Sequence, residues 1–243
     1  MKFRYAFILI LTSLSVLIYF IPMKSVSSLL QLQYKDIYIE DENGRWWNGS
    51  LEGVEFSDIY LGKFVLNFEP KLLLSGKWGF NLIANNNHYN FKGVISYNNT
   101  KNYIIEKAHI KISMDNKSMG NTKSPFAFSA ITINLPFFSF NKLGCNQAEG
   151  TLLGSLLDKY SLLNQEINIQ AIFQCIDKNL HSTFISYPKE NLLSGKFIID
   201  RNLDYDLEAS SGRISSKIKK LAKLNFTSQP SIKLSGNILE LLN

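Results

Sequence analysis

The side chains best suited to catalysis or metal binding in this chain are three histidines, two cysteines and twenty carboxylates. His88, His109 and His181 lie far apart and have no metal-ligand spacing to one another. There is no His-Glu-x-x-His pair, no nucleophile elbow and no glycine-rich phosphate loop. Asp41, Glu42, Asp58, Asp158, Asp177 and Asp200 fall in predicted turns, where aspartate is expected for backbone reasons. Cys145 and Cys175 form no Cys-x-x-Cys motif, which argues against a redox or zinc role. The expectation is a protein with no catalytic residues, no metal and no cofactor.

A different stretch stands out. Gly44-Arg45-Trp46-Trp47-Asn48-Gly49-Ser50 places two adjacent indoles between glycines. Indoles are poorly left in water, so at least one should cover the end of a core while the glycines turn the backbone. An aromatic plug at a strand start and a contact with a partner or lipid are both open readings.

The elements that must hold this corner follow from composition and periodicity. At 243 residues, with 45% apolar and 13% aromatic content, the chain should build a packed body. A formal charge of +6, with bases interleaved among acids, gives no concentrated face for nucleic acid. From Phe3 to Met23 the chain is apolar apart from Arg4 and a few hydroxyls, enough for a transmembrane helix of about 30 Å. Lys2 and Arg4 precede it, which predicts a cytoplasmic N-terminus and an exported body. A cleaved signal peptide with Ser25 and Ser27 near the cut is the rival. In an exported domain an even cysteine count favours a Cys145–Cys175 bridge, worth about 3.5 kcal/mol on the chain-entropy model, against two buried free thiols.

After a short helix or linker over Ser25–Gln33 and a first strand over Tyr34–Ile39, an acidic turn at Glu40–Asn43 leads into the tryptophan corner. Period-two patterning then recurs. Phe64, Leu66 and Phe68 share one face, as do Phe80, Leu82 and Ala84, and then Tyr89, Phe91, Ile95 and Tyr97. Opposite them stand Asn67, Glu69, Asn81, Asn90 and Lys92, so one face is apolar and the other wet. Hairpin-spaced turns predict eight to twelve strands laid down nearly in order, with a short helix over Gly154–Leu163 and an interruption at Pro136. Ile214, Ile218, Leu221 and Ala222 recur at helical spacing among Lys217, Lys219, Lys220 and Lys223. That basic amphipathic helix over Ser211–Leu224 would cap the sheet or lie on anionic lipid.

The expected fold is therefore mainly β: an N-terminal transmembrane helix, a curved, largely antiparallel, meander-like sheet, and a short C-terminal amphipathic helix. The division is a cytoplasmic tip and anchor at 1–24, a membrane-proximal segment and first strand at 25–43, and a β-rich domain at 44–243.

An anchor followed by Gly44, Trp47 and Gly49 in a G-x-x-W-x-G arrangement resembles the general secretion pathway protein N family of the bacterial type II secretion system. Leu61-Gly62, Pro70, Leu72-Leu73-Leu74, Gly76 and Trp78 are similar to that family's next strand, proline and leucine-rich bend. Cys145, Cys175 and the late Ser231–Gly236 strand also fit it, whereas the low-Arg, Asn- and Lys-rich composition departs from it. The resemblance implies a single-pass inner-membrane accessory component with a periplasmic domain. It would contact other secretion subunits, have no active site, and contribute to export of folded proteins. Gly44, Trp46, Trp47, Gly49 and Trp78 are then candidate structural or partner-contact residues. Lys217, Lys219, Lys220 and Lys223 are candidate membrane-surface residues. The alternative is a membrane-anchored lipid-binding or lipid-transfer module, because an open sheet with surplus aromatics must find something to cover its apolar face.

Overall fold

The computed structural model describes residues 2–57, 59–113, 126–158, 167–187, 193–210 and 231–237. Two helices open the chain, α1 (Lys2–Tyr19) and α2 (Met23–Gln33). The apolar run is thus divided: Pro22 N-caps α2, and Met23 belongs to the second helix. At 18 residues, α1 is about 27 Å long. Among the described residues, no helix is long and apolar enough to cross a membrane.

The body is one antiparallel sheet. Its strands are β1 (Ile37–Tyr38), β2 (Asp41–Arg45), β3 (Asn48–Phe56), β4 (Ile59–Phe68), β5 (Lys77–Asn85), β6 (Tyr89–Asn98) and β7 (Tyr103–Ser113). They continue as β8 (Phe126–Asn141), β9 (Gly144–Asp158), β10 (Ile167–Ile176), β11 (Asn179–Tyr187), β12 (Ser194–Ile199), β13 (Asp204–Ser210) and β14 (Ser231–Asn237). Order in space follows order in sequence from β3 to β14, with β1 and β2 both paired to β3. The meander and its alternation agree with the sequence pattern. Turn chemistry explains the neighbour pairing. Asp177 and Lys178, for example, have φ values of 51° and 67°, as a two-residue turn matched to strand twist requires.

Three local expectations are corrected. Glu40–Asn43 is not a turn, because Asp41–Arg45 pairs along Asn48–Glu52 as a strand. Gly154–Asp158 is the end of β9, paired to β10 through Gly154 opposite Ile169, and the described part of the expected helix is strand. Pro136 does not break β8. It falls where the β8–β9 register shifts between Asn134 and Phe137, a bulge at which its missing N–H removes no ladder bond. The amphipathic segment with Lys217, Lys219, Lys220 and Lys223, and the polar stretch 114–125, lie outside the described residues.

Packing is concentrated in two places. Met23, Ile39, Leu51 and Val54 form one buried cluster where α2 lies on the first strands. Cys145, Ala148 and Phe173 form the other, mid-sheet, joined by Ile133, Leu135, Phe138 and Leu152. Outside them Ile104 and Ile169 are buried, and most other large apolar side chains are half-buried or exposed.

Candidate functional site

Trp46 and Trp47 occupy the two-residue tip of the β2–β3 hairpin, since Arg45 pairs with Asn48. From there they close the open end of α1. Trp46 Nε1 donates to the Ile18 carbonyl at 2.7 Å, and Trp47 Nε1 to that of Tyr19 at 3.1 Å. A helix leaves its last carbonyls without intrahelical donors, so the Trp47 indole satisfies the Tyr19 carbonyl, and the Trp46 indole adds a second donor to the Ile18 carbonyl, which also accepts from Ile21 N–H. The Tyr19 ring stacks on Trp47 at 5.0 Å, and the Arg45 guanidinium sits 5.1 Å from the Tyr19 centroid and 4.7 Å from that of Phe20. The glycines are required by space. A Cβ on Gly44, which has φ +88°, would lie 2.5 Å from the Asn48 carbonyl oxygen, and one on Gly49 would meet Met23 Cγ at 3.0 Å. The corner is a clasp binding helix, hairpin and α2 together.

The second feature is one face of the sheet. Register carries it from strand to strand. Phe64, Leu66 and Phe68 pair with Ala84, Leu82 and Phe80, and those with Phe91, Gly93 and Ile95. The same face continues through Ile105 and Ile110 on β7, Phe138 and Ile133 on β8, and Ala148 and Leu152 on β9. It ends through Ala171 and Phe173 on β10, Phe184 on β11, Phe197 on β12 and Leu207 on β13. From β4 to β13, no charged residue or histidine stands at a paired position of this face whose side chain is described. Ser182 and Ser186 are its polar members, and Ser186 Oγ accepts from Leu193 N–H. The Tyr89 hydroxyl donates to the Leu61 carbonyl, and burial pushes its pKa up. Ala84, Ala108, Ala148 and Ala209 are buried together with Ile169 and Phe173, while Phe64, Leu66, Phe80, Phe91, Phe184 and Phe197 stay half-open, which describes a trough whose floor is filled and whose walls are available.

The opposite face carries the charge. Lys77 pairs with Glu106 at 2.9 Å, and Glu208 takes Lys196 at 3.0 Å and Lys233 at 3.3 Å. Hydrogen bonds from those two lysines hold the Glu208 carboxyl below its usual range. His109 bonds Asn134 there and is far from any second histidine in sequence.

Along one edge of the trough a single row of paired residues runs Trp78, Tyr97, Tyr103, Phe140 and Cys145. The Cys145–Cys175 disulfide, with Cα atoms 5.6 Å apart, carries the row on to Leu180, Ile199 and Tyr205. Both cysteines are bridged as the sequence suggested. Tyr97–Tyr103 and Tyr103–Phe140 ring contacts of 5.1 and 5.3 Å make it an aromatic rail, and Phe68 links Trp78 to Trp46 at its head. Outside the rail, Asn102 Oδ1 accepts from Asn141 and Asn146, and Lys178 Nζ donates to Asn146 Oδ1. This amide ladder ties three hairpin tips together. As turn residues the asparagines are legible in the sequence; their bonding from one tip to the next is not. Their recurrence at every other turn was the available signal.

Among the described residues no group of three or more His, Cys, Asp or Glu could hold a metal. The fold and site define a class: an open antiparallel meander with one face uncharged among its described side chains, stapled at mid-length and clasped to an apolar N-terminal helix. Compared with known proteins, the chain matches no family model, no curated protein and no solved structure.

Proposed function

We propose that this chain is a non-catalytic, membrane-tethered module whose apolar trough holds the acyl chains of lipids. The observation that carries it is the face from β4 to β13, on which no described side chain at a paired position is charged. Ten adjacent strands spaced by about 4.8 Å give a trough about 43 Å long, against about 30 Å for a whole hydrocarbon core. That is room for the tails of two to three lipids end to end. Half-buried Phe and Ile walls lose water when tails enter, at about 25 cal/mol per Å² of apolar area. Head groups, which find no charge on the trough floor, stay at the rim. The tether is α1, whose Tyr5, Leu9, Ile10, Leu14 and Leu17 are exposed and offer an apolar surface to lipid, with Lys2 and Arg4 at its start to meet head groups. The test is mass spectrometry of the purified full chain beside Phe184→Asp. Co-purifying phospholipid in the first and its loss in the second is the expected result; equal lipid in both, or none in either, sinks the reading.

A second reading is favoured by the clasp at Gly44, Trp46, Trp47 and Gly49. It is an accessory component of a bacterial type II secretion system, single-pass in the inner membrane with a periplasmic body, as the resemblance implies. The clasp supports it because two indole hydrogen bonds and a stacked ring hold the helix to the body as one piece. Recovery of secretion-platform subunits with the chain, and an export defect on its deletion, are the expected results. Normal export together with no such subunits would exclude it.

A further inference from the structure

Exposed leucines and bases stand together at the hairpin tips of the rail edge, apart from the exposed Ile83, Ile172 and Ile185 of the opposite face. The connections after β4, β6, β8, β10 and β12 hold Lys71, Lys101, Lys142, Lys178 and Arg201, all exposed, against the acids Glu69, Asp177 and Asp200. Two of those acids already have partners: Glu69 accepts from Asn81, and Asp200 accepts from the backbone N–H groups of Asn202 and Asp204 in its own turn. Beside the bases stand leucines. Leu74 is 92% exposed and Leu143 63%, and Leu203 stands in its turn at φ +66°. A turn at positive φ is served by glycine or asparagine without the strain a leucine brings. Trp78, 59% exposed, adds an indole to the same margin.

Successive tips are two strands apart, so the five span about 38 Å at the usual strand spacing. The tether starts from this edge as well, because the Trp47 carbonyl, at the clasp, accepts from Phe68 N–H at the head of the rail. The geometry points to this edge as a seat on an anionic phospholipid surface. The leucines and Trp78 enter the head-group layer, the five bases meet phosphates, and the trough lies along the membrane plane. Charge complementarity selects the occupant: a neutral apolar partner would have no use for a base at each turn. The seat stands independently of the trough's cargo, since a lipid-free trough would leave it untouched.

The experiment uses the full chain in vesicles whose acyl chains are brominated, with Leu74→Trp and Leu143→Trp as reporters. Leu153→Trp on the polar face is the control, and each reporter is read as the emission it adds over the same chain without it in the same vesicles, because Trp78 lies on the same margin. In vesicles containing anionic phospholipid, the emission added at 74 and 143 is expected to fall by about half, with little change at 153. In 1 M salt, where screening acts within about 3 Å, or in purely zwitterionic vesicles, that quenching should weaken at least twofold. Adding Lys142→Glu, Lys178→Glu and Arg201→Glu to the Leu74→Trp chain should weaken it likewise in anionic vesicles. Quenching at 74 and 143 no greater than at 153 overturns the proposal and leaves the edge to solvent or a protein. Quenching indifferent to salt, lipid charge and the reversals overturns the anionic choice. Retained strand signal and an intact disulfide identify variants that have folded.

Discussion

The near end of the apolar face and its middle have the same chemistry and different solutions. At the near end α2 lies on the sheet, and Met23 is 2% exposed against Ile39, Leu51 and Val54. In the middle no helix among the described residues covers the face, and the buried cluster gathers around Cys145 and Phe173 beside the disulfide. The chain therefore supplies its own occupant for the first strands and a covalent staple for the rest. A face that carries no charge among its described side chains, yet is capped over only part of its length, retains an unfilled demand for apolar contact.

Breaking the staple should have the largest effect. Cys145→Ser with Cys175→Ser is expected to lower stability by about 3.5 kcal/mol, read by urea titration. The loss should concentrate in amide exchange over β8 to β11 and spare β1 to β4. Exchange that rises equally at both ends would erase the distinction between the two regions. Next, Met23→Ala should cost about 3 kcal/mol as a core truncation. Leu207→Ala on the uncovered stretch should cost about 1 kcal/mol by lost area alone. Equal midpoint shifts would mean that the far stretch is covered as well.

The clasp offers a finer probe. Trp46→Phe and Trp47→Phe each remove one indole donor and should each cost about 1 kcal/mol, seen as faster exchange at the end of α1 with the sheet unchanged. The smallest effect belongs to the polar face. The depressed Glu208 carboxyl contributes stability that is present above its ordinary 4.5 and is lost as pH falls through the lowered value. Glu208→Gln should flatten that acid limb, measured by thermal melts below pH 5, without changing the midpoint difference between the two regions.

Much of this was legible in the chain. Strict alternation in Phe64–Phe68, Phe80–Ala84 and Tyr89–Tyr97 announced strands with one apolar side, and neighbour pairing followed from hairpin spacing. An even cysteine pair announced the bridge. What escaped is what depends on three-dimensional register. That Trp78, Tyr97, Tyr103, Phe140 and Cys145 make one row is invisible until bulges at Lys92/Val94 and Asn134/Phe137 are counted, since each shifts parity by one. The tryptophan corner was recognised by its aromatic weight, but its partner, the carbonyl end of α1, lies 28 residues away. The division of the apolar run at Pro22 was hidden because hydropathy does not register a helix stop.

Each strand from β4 to β13 is bonded only to the strands before and after it in the chain. Architecture of that kind has no closing seam to satisfy, so a hairpin gained or lost lengthens or shortens the body by about 9.6 Å and leaves every other pairing intact. Reach is thus a modular quantity here, adjustable by gene duplication of a single two-strand unit, while the N-terminal helix and its tryptophan lock stay as they are.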